Sequence, residues 1–429
     1  MSEAKYIEIK EPKILKNRLL LSRLSYPREI KKYFSSNLFY VKYDKDIHNV
    51  NTSILQIPVI SNVITLAWAI GADIHVKEID RTYLESLNKI KSIMKKWYPK
   101  LAFSTNVTAE KVISNSFSSE RYGLLFSGGI DSTTSYIRHK NKKPDLIMVW
   151  GADIPLIEKR FWRKVEKKYK AFADQEKVKI HFIKTNMRQF INERRLCIEF
   201  GKYLSYVSWW EGIQHGMGLL GLSAPISVEK HIGTILIASS ASLVLIPYGS
   251  HPLIDNKFSW ADVKVVHDGG VGRQKKIRNV LSDYIRKKRC YPTLRVCHSQ
   301  FRDFNCSKCE KCLRTITGLL LENIDPNKLS LNVGDNFSDL LKHFIKDRGA
   351  RELDHLRLFP WYDIQKHIHE TMSHNLYNSK EFFSWLKDFD LSVYNVRKRN
   401  IRSCLRYIYY KLPTKVQNLV LEIWLKVTS

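Results

Sequence analysis

The spacing of apolar residues changes character near residue 120. Upstream, β-rich runs over 37–43 and 53–58 lead into a helical stretch over 59–72. Residues 80–97 place Tyr83, Leu84, Leu87, Ile90, Ile93 and Met94 at helical spacing, and Tyr98-Pro99 ends that run. Downstream, short apolar runs alternate with longer amphipathic ones. Strands are predicted over 122–126, 145–150, 179–184, 234–239 and 263–267, with helices from Asp131 onward and over 157–176, 205–222 and 273–288. This alternation predicts an α/β fold, a parallel sheet covered by helices on both faces, with ligands at the carboxyl ends of its strands. The chain divides accordingly into an N-terminal α+β region over 1–115, an α/β domain over 116–296, a cysteine-rich segment over 297–325 and a helical region over 326–429.

Composition adds charge to this picture. The 429 residues are 44% hydrophobic, enough to bury a large core, and Lys plus Arg exceeds Asp plus Glu by 71 − 42 = 29. Such a surplus points to nucleic acid, ATP or an anionic surface, or to a general bias toward lysine. The tail over 396–429 holds eight basic residues and one acidic one, which reads as a contact for RNA or membrane or as a solvated helix face. The opening MSEAKYIEIKEPK has acidic residues and no apolar run, and no stretch approaches the ~20 apolar residues of a membrane span. A cytoplasmic protein without a transmembrane segment is expected.

The densest chemistry follows the strand predicted over 122–126. There the chain reads Ser127-Gly128-Gly129-Ile130-Asp131-Ser132-Thr133 and enters a helix. Two glycines let the backbone turn sharply, and the free amides of the turn and helix start converge on one spot that favours an anion. Ser127, Ser132 and Thr133 add hydroxyls, and Asp131 is placed to cap the helix or to hold Mg2+. The Walker pattern is absent.

This string resembles the signature of the PP-loop ATP pyrophosphatases. The resemblance implies an adenine nucleotide α-hydrolase-like, Rossmann-like sheet that grips pyrophosphate with this loop. It also implies that adenine lies near the end of the second strand, at Trp150, Gly151 and Asp153.

Four of the seven cysteines crowd together as Cys297-x8-Cys306-x2-Cys309-x2-Cys312. In a reducing compartment that spacing suggests metal. Four thiolates surround Zn2+ and leave no open position, which is the pattern of a structural site. An iron–sulfur centre or a redox pair are the alternatives. Lys308, Lys311 and Arg314 nearby favour thiolates, and His298 is a spare ligand or a neighbour.

The same cysteine arrangement after a PP-loop sheet resembles the 7-cyano-7-deazaguanine synthases, over about residues 122–321. The N- and C-terminal regions lie outside that likeness.

Two further stretches complete the expected site. Tyr248-Gly249-Ser250-His251-Pro252 to Asp255 reads as a substrate loop, and His267-Asp268-Gly269 leads into a helix beginning with Arg273 and Lys276. The resemblance implies that a basic residue here holds pyrophosphate, although Lys275 stands where an acidic residue is usual. Tyr248, Ser250, His251, Asp255, His267 and Asp268 are the substrate candidates. Asp131, Arg273 and Lys276 are the catalytic ones. The implied chemistry is attack of a substrate carboxylate on the α-phosphate of ATP, departure of pyrophosphate, and displacement of AMP by ammonia or an amine. Two alternatives stand beside it: a nucleic-acid-binding or tRNA-modifying factor, and a defence-system subunit that modifies a protein partner.

Overall fold

A computed structural model describes residues 5–205, 208–239, 246–349, 353, 355–368 and 376–397. Among these residues one mixed sheet runs through the molecule. Its strands are β1 (Tyr6–Ile9), β2 (Lys13–Leu15), β3 (Leu19–Ser25), β4 (Leu38–Tyr43), β5 (Asp73–Asp80), β6 (Val107–Ile113), β7 (Tyr122–Leu125), β8 (Asp145–Trp150), β9 (Ile180–Thr185), β10 (Thr234–Ala238), β11 (Ser259–Trp260) and β12 (Val263–Asp268). The spatial order is β11-β12-β10-β7-β8-β9-β4-β3-β1-β5-β6, with β2 on β3.

The half from β12 to β9 is all parallel, in register Ile235 with Gly123 and Gly123 with Asp145. Counted along the chain, β7, β8 and β9 extend one way from the centre, while β10 and β12 extend the other. The order therefore reverses between β7 and β10, and this is where an open α/β sheet leaves a crevice. These strands read as short apolar runs because both faces are covered: Asp145 to Met148 of β8 are all buried. The helix Lys159–Glu176 covers one face by burying Phe161, Trp162, Val165, Tyr169 and Ala173.

The segment 1–115, read as a separate region, supplies β1 to β6 to this same sheet. β4 runs antiparallel to β9, pairing Val41 with Thr185, and Ile57, Ile60 and Trp68 share one apolar core with Ile213 and Met217. Sheet and core therefore run across residue 115.

The expected β-rich run over 53–58 is helical instead. Asn51 caps the helix Thr52–Leu55 by accepting from the Ser53 amide, and the chain continues into Ile57–Ile70, every residue of which is buried. A segment apolar on all sides shows no period, so its pattern alone cannot separate strand from helix. The helix expected over 205–222 opens with a π-helical turn, Trp210–Gln214, before His215–Leu222. Gly218 and Gly221 let it press on the buried helix, since a Cβ there would meet Asn62 Oδ1 at 2.9 Å and Ser61 Oγ at 2.3 Å.

A second core gathers Cys297, Cys312, Leu313 and Ile316 with Trp361, Phe382 and neighbours from the helices His355–His367 and Ser379–Asp388. These fit the helical region expected after 326. The basic tail lies, from residue 398 onward, outside the described residues.

No helix of the described residues is long and apolar enough to cross a membrane.

Candidate functional site

β7 hands over to the glycine turn at the reversal of strand order. Gly128 has φ +76°, and a Cβ there would lie 1.8 Å from Tyr169 Oη, so the turn accepts only glycine. The Thr133 amide makes the first helical bond, to the Gly129 carbonyl at 2.9 Å, which leaves the amides just before it without helical partners. Ser127 and Ser132 hold the turn in shape, with their hydroxyls 3.2 Å apart and Ser132 Oγ donating to the Gly129 carbonyl at 3.3 Å.

Ser127, Gly129, Ile130, Asp131 and Ser132 line a cavity of about 650 Å³ at the carboxyl ends of the strands. Gly128 faces Tyr169, and Thr133 is buried in the helix start; neither lines the cavity.

Asp131 makes no cap bond to the helix. Its Oδ2 receives Arg273 Nη2 at 2.6 Å and its Oδ1 receives Lys276 Nζ at 2.8 Å, while Lys276 also donates to the Ser239 carbonyl. Burial opposes its charge, but Lys276 and Arg273 outweigh that and hold the carboxyl well below the usual carboxylate range. With a cation at each oxygen, Asp131 is a poor ligand for a divalent ion, so the reading of Asp131 as a magnesium ligand does not fit. Arg273 lines the cavity, and its Nε and Nη1 are buried without a hydrogen-bond partner. Lys276 stands behind Asp131, fully buried, outside the cavity lining.

The cysteine segment forms another wall. It has little regular structure before the helix Glu310–Leu321, yet its four sulfur atoms lie within 4.8 Å of one another, with Cys297–Cys309 and Cys306–Cys312 each at 3.9 Å. A tetrahedron of Zn–S bonds of about 2.3 Å has edges of just under 4 Å, so the quartet can hold a metal ion such as zinc. The iron–sulfur alternative would hold the sulfurs farther apart, because irons and sulfides must fit between them. Among the described residues this quartet is the one group of three or more Cys, His, Asp or Glu side chains close enough to share an ion.

Residues flanking the cysteines reach the cavity: Arg295, His298 and Lys311 all line it. Arg295 clasps the glycine turn, its amide on the Gly128 carbonyl at 2.8 Å and its Nε on the Ser127 carbonyl at 3.2 Å. Burial, then the nearby Arg273, pushes the Lys311 ammonium down to about 8.

The expected substrate loop divides. Tyr248 and Ser250 line the cavity opposite the turn, together with Arg188, Trp210, Glu211 and His215. His251, Asp255 and His267 stand behind them. Asp255 Oδ2 accepts from Ser250 Oγ at 2.7 Å and meets His267 Nδ1 at 2.8 Å, while His251 caps the short helix Pro252–Asp255 and packs on Trp97. The side chains of all three, expected as substrate residues, are buried and do not line the cavity. Asp268 does not line it either: it binds Arg138 at 2.7 Å and Ser135, tying β12 to the helix after the turn.

Of the stretch Met148 to Asp153 expected at adenine, Met148, Val149, Ala152 and Asp153 line the cavity, while Trp150 and Gly151 do not. Burial resists the charge of Asp153, but Arg295 leads the cations that lower its pKa. Trp150 turns outward, stacked on Trp162 at 5.4 Å beneath Lys184 at 4.6 Å. Gly151, at φ +103°, lets the chain pass β9, where a Cβ would lie 1.9 Å from the Thr185 carbonyl.

Arg188, Arg295 and Glu211 were not singled out from sequence. Arg188 follows β9 by three residues and so had a signal, the carboxyl end of a parallel strand. Arg295 had none beyond lying two residues before Cys297.

Comparison of the chain with family models, with characterised proteins and with solved structures finds no match.

Proposed function

We propose that this chain is a PP-loop enzyme of the adenine nucleotide α-hydrolase-like class, which cleaves ATP to AMP and pyrophosphate to activate an acidic substrate. The observation that carries the reading is that Ser127, Gly129, Ile130, Asp131 and Ser132 of the turn and Arg273 line one cavity at the reversal of strand order, where a helix start favours an anion.

In this reading the leaving diphosphate lies on the turn. Arg273, aimed by Asp131, and Lys311 meet the charge that grows on it as the Pα–O bond breaks. Arg295 keeps the turn's carbonyls facing away from that charge by binding two of them. The nucleoside extends toward Met148 to Asp153, and Arg188 and His215 on the far wall orient the substrate carboxylate. One carboxylate oxygen bonds to the α-phosphorus as pyrophosphate departs. An amine then adds to the acyl carbon, AMP leaves with its electron pair, and a proton is released to solvent. Tyr248 and Ser250 bound the space the amine enters. Asp131 is taken up by Lys276 and Arg273, and the steps above rest on side chains and main chain.

The test is turnover of ATP labelled at the α-phosphate, with a panel of small carboxylic acids and ammonium. Labelled AMP, formed only when acid is present and lost in Arg273→Ala, is expected. Release of ADP without AMP would overturn the reading.

A further inference from the structure

The nucleotide cavity uses few of the chain's surplus cations, and the largest exposed group of the rest has a definite place. On the helix Lys159–Glu176 the apolar side is buried against the sheet, while Lys159, Arg160, Arg163, Lys164, Lys167 and Lys168 are all exposed. At about 1.5 Å per residue they span about 14 Å of one helix. Lys164 alone of the six reaches a carboxylate among the described residues, Asp303 at 3.6 Å, and it also donates to the Arg302 carbonyl at 3.0 Å. Some basic side chains elsewhere are paired at closer range: Lys77 meets Glu11 at 2.7 Å and Lys287 meets Asp283 at 3.0 Å.

The charge continues to either side of the helix's first turns. On one side Lys42 and Lys184 are direct partners in the β4–β9 ladder. Burial first, then Lys42 and Lys159, lowers the Lys184 ammonium, which places three like charges together. Beside Lys164 a groove of about 900 Å³ is lined by Arg302, Asp303 and Lys308, with Gln300, Asn305, Asn327 and Asn332. Like charges crowded without counter-charges destabilise a surface until a polyanion covers them.

We propose that this band, from Lys42 and Lys184 along the basic helix to the groove beside the cysteine segment, binds the phosphodiester backbone of a polynucleotide. A repeating line of phosphates matches a linear row of ammonium and guanidinium groups. An anionic bilayer is the poorer fit, because Phe161, Trp162, Val165 and Tyr169, which a membrane-lying helix would insert, are buried in the protein. The proposal stands independently of ATP turnover.

The experiment is fluorescence anisotropy with the full chain and labelled 20-mers of single-stranded RNA, single-stranded DNA and duplex DNA across a salt series. Two variants carry the same change of charge: Arg160→Glu/Arg163→Glu/Lys167→Glu on the band, and Lys89→Glu/Lys95→Glu/Lys96→Glu on the distant helix Arg81–Trp97, which packs on β11 at the far edge of the sheet. Loss of three phosphate contacts should make the slope of log affinity against log salt shallower by about two for a single strand. The band variant should weaken binding more than tenfold and the distant variant less than threefold, with both melting as the parent does. Should the glutamates unfold the helix, Arg160→Gln/Arg163→Gln/Lys167→Gln is expected to show the same direction at about half the effect. The proposal is overturned if no 20-mer binds, if both variants weaken binding equally, or if phosphatidylserine vesicles bind at the band while the 20-mers do not. Preference among the three 20-mers identifies which polynucleotide the band takes.

Discussion

The glycine turn and the cysteine segment are adjoining walls of one cavity, joined where Arg295 clasps the turn, and are built by opposite means. The turn is a local object. A strand ends, Gly128 adopts a left-handed conformation, a helix begins, and the main chain itself does the presenting. The cysteine segment has almost no repeating structure before the helix Glu310–Leu321, and four sulfurs brought to within 4.8 Å shape it. The first wall therefore depends on backbone conformation. The second is gathered around four clustered thiols able to hold a metal ion, and it carries Arg295, His298 and Lys311. A site assembled in this way has two separable ways to fail.

The largest expected effect is on the cysteine wall. Cys309→Ser removes one of four thiolates, and loss of an ion bound a thousandfold above its dissociation constant lowers stability by about 4 kcal/mol. Metal content by mass spectrometry and denaturant unfolding read this directly. Full stability without metal would erase the distinction between the two walls. Next comes the turn itself. Gly128→Ala forces a Cβ into Tyr169 at positive φ and is expected to destabilise by about 3 kcal/mol while metal content stays at the parent level.

Third, Arg273→Ala should leave both walls folded and lower AMP-forming turnover about a hundredfold, as removal of a charge donor to a developing anion does elsewhere. Steady-state kinetics with a melting control checks it. An unchanged rate would leave the unpartnered guanidinium without a role.

The acid dependence is gentler, and its sign follows from Asp131. Its folded-state carboxyl is held below that of an unfolded aspartate, about 3.9. The unfolded chain therefore takes up the proton first as pH falls. Stability from this group is present above about pH 4 and is lost as pH drops toward the folded value. Unfolding midpoints at about pH 5 and pH 3 should differ more in the parent than in Asp131→Asn. A loss that is the same in both would assign the acid sensitivity to other carboxylates.

Smallest is Trp150→Ala. The indole stacks on Trp162 away from the cavity, so KM for ATP should change less than about threefold, well under 1 kcal/mol. A larger change would bring adenine to Trp150 after all.

Much of the parallel half was legible in the chain. Strands covered on both faces appear as bare apolar runs, and Asp145–Trp150 is found at its predicted bounds. The N-terminal half was harder to read. β1, β2, β3, β5 and β6 are short or mix charged and apolar residues; in β6, Val107–Ile113, no residue is buried. Nothing local marks them as strands, because pairing with distant neighbours makes them so.

Sequence alone determined what neighbouring residues decide by their own conformational limits: the glycine turn after β7, the helix start behind it, and a thiol spacing that one ion can gather. Tertiary structure alone decided which polar side chains face the cavity and which support it. His251, Asp255 and His267 looked as available as Ser250 and Tyr248 when read along the chain. Packing turned the first three inward and opened the other two to the cavity. It also brought Arg295 to the turn, and Arg188 to the wall opposite, from far along the chain. The reason is range: backbone conformation and ligand spacing are set by nearest neighbours, whereas the direction of a side chain in a site depends on how elements a hundred residues apart share one core.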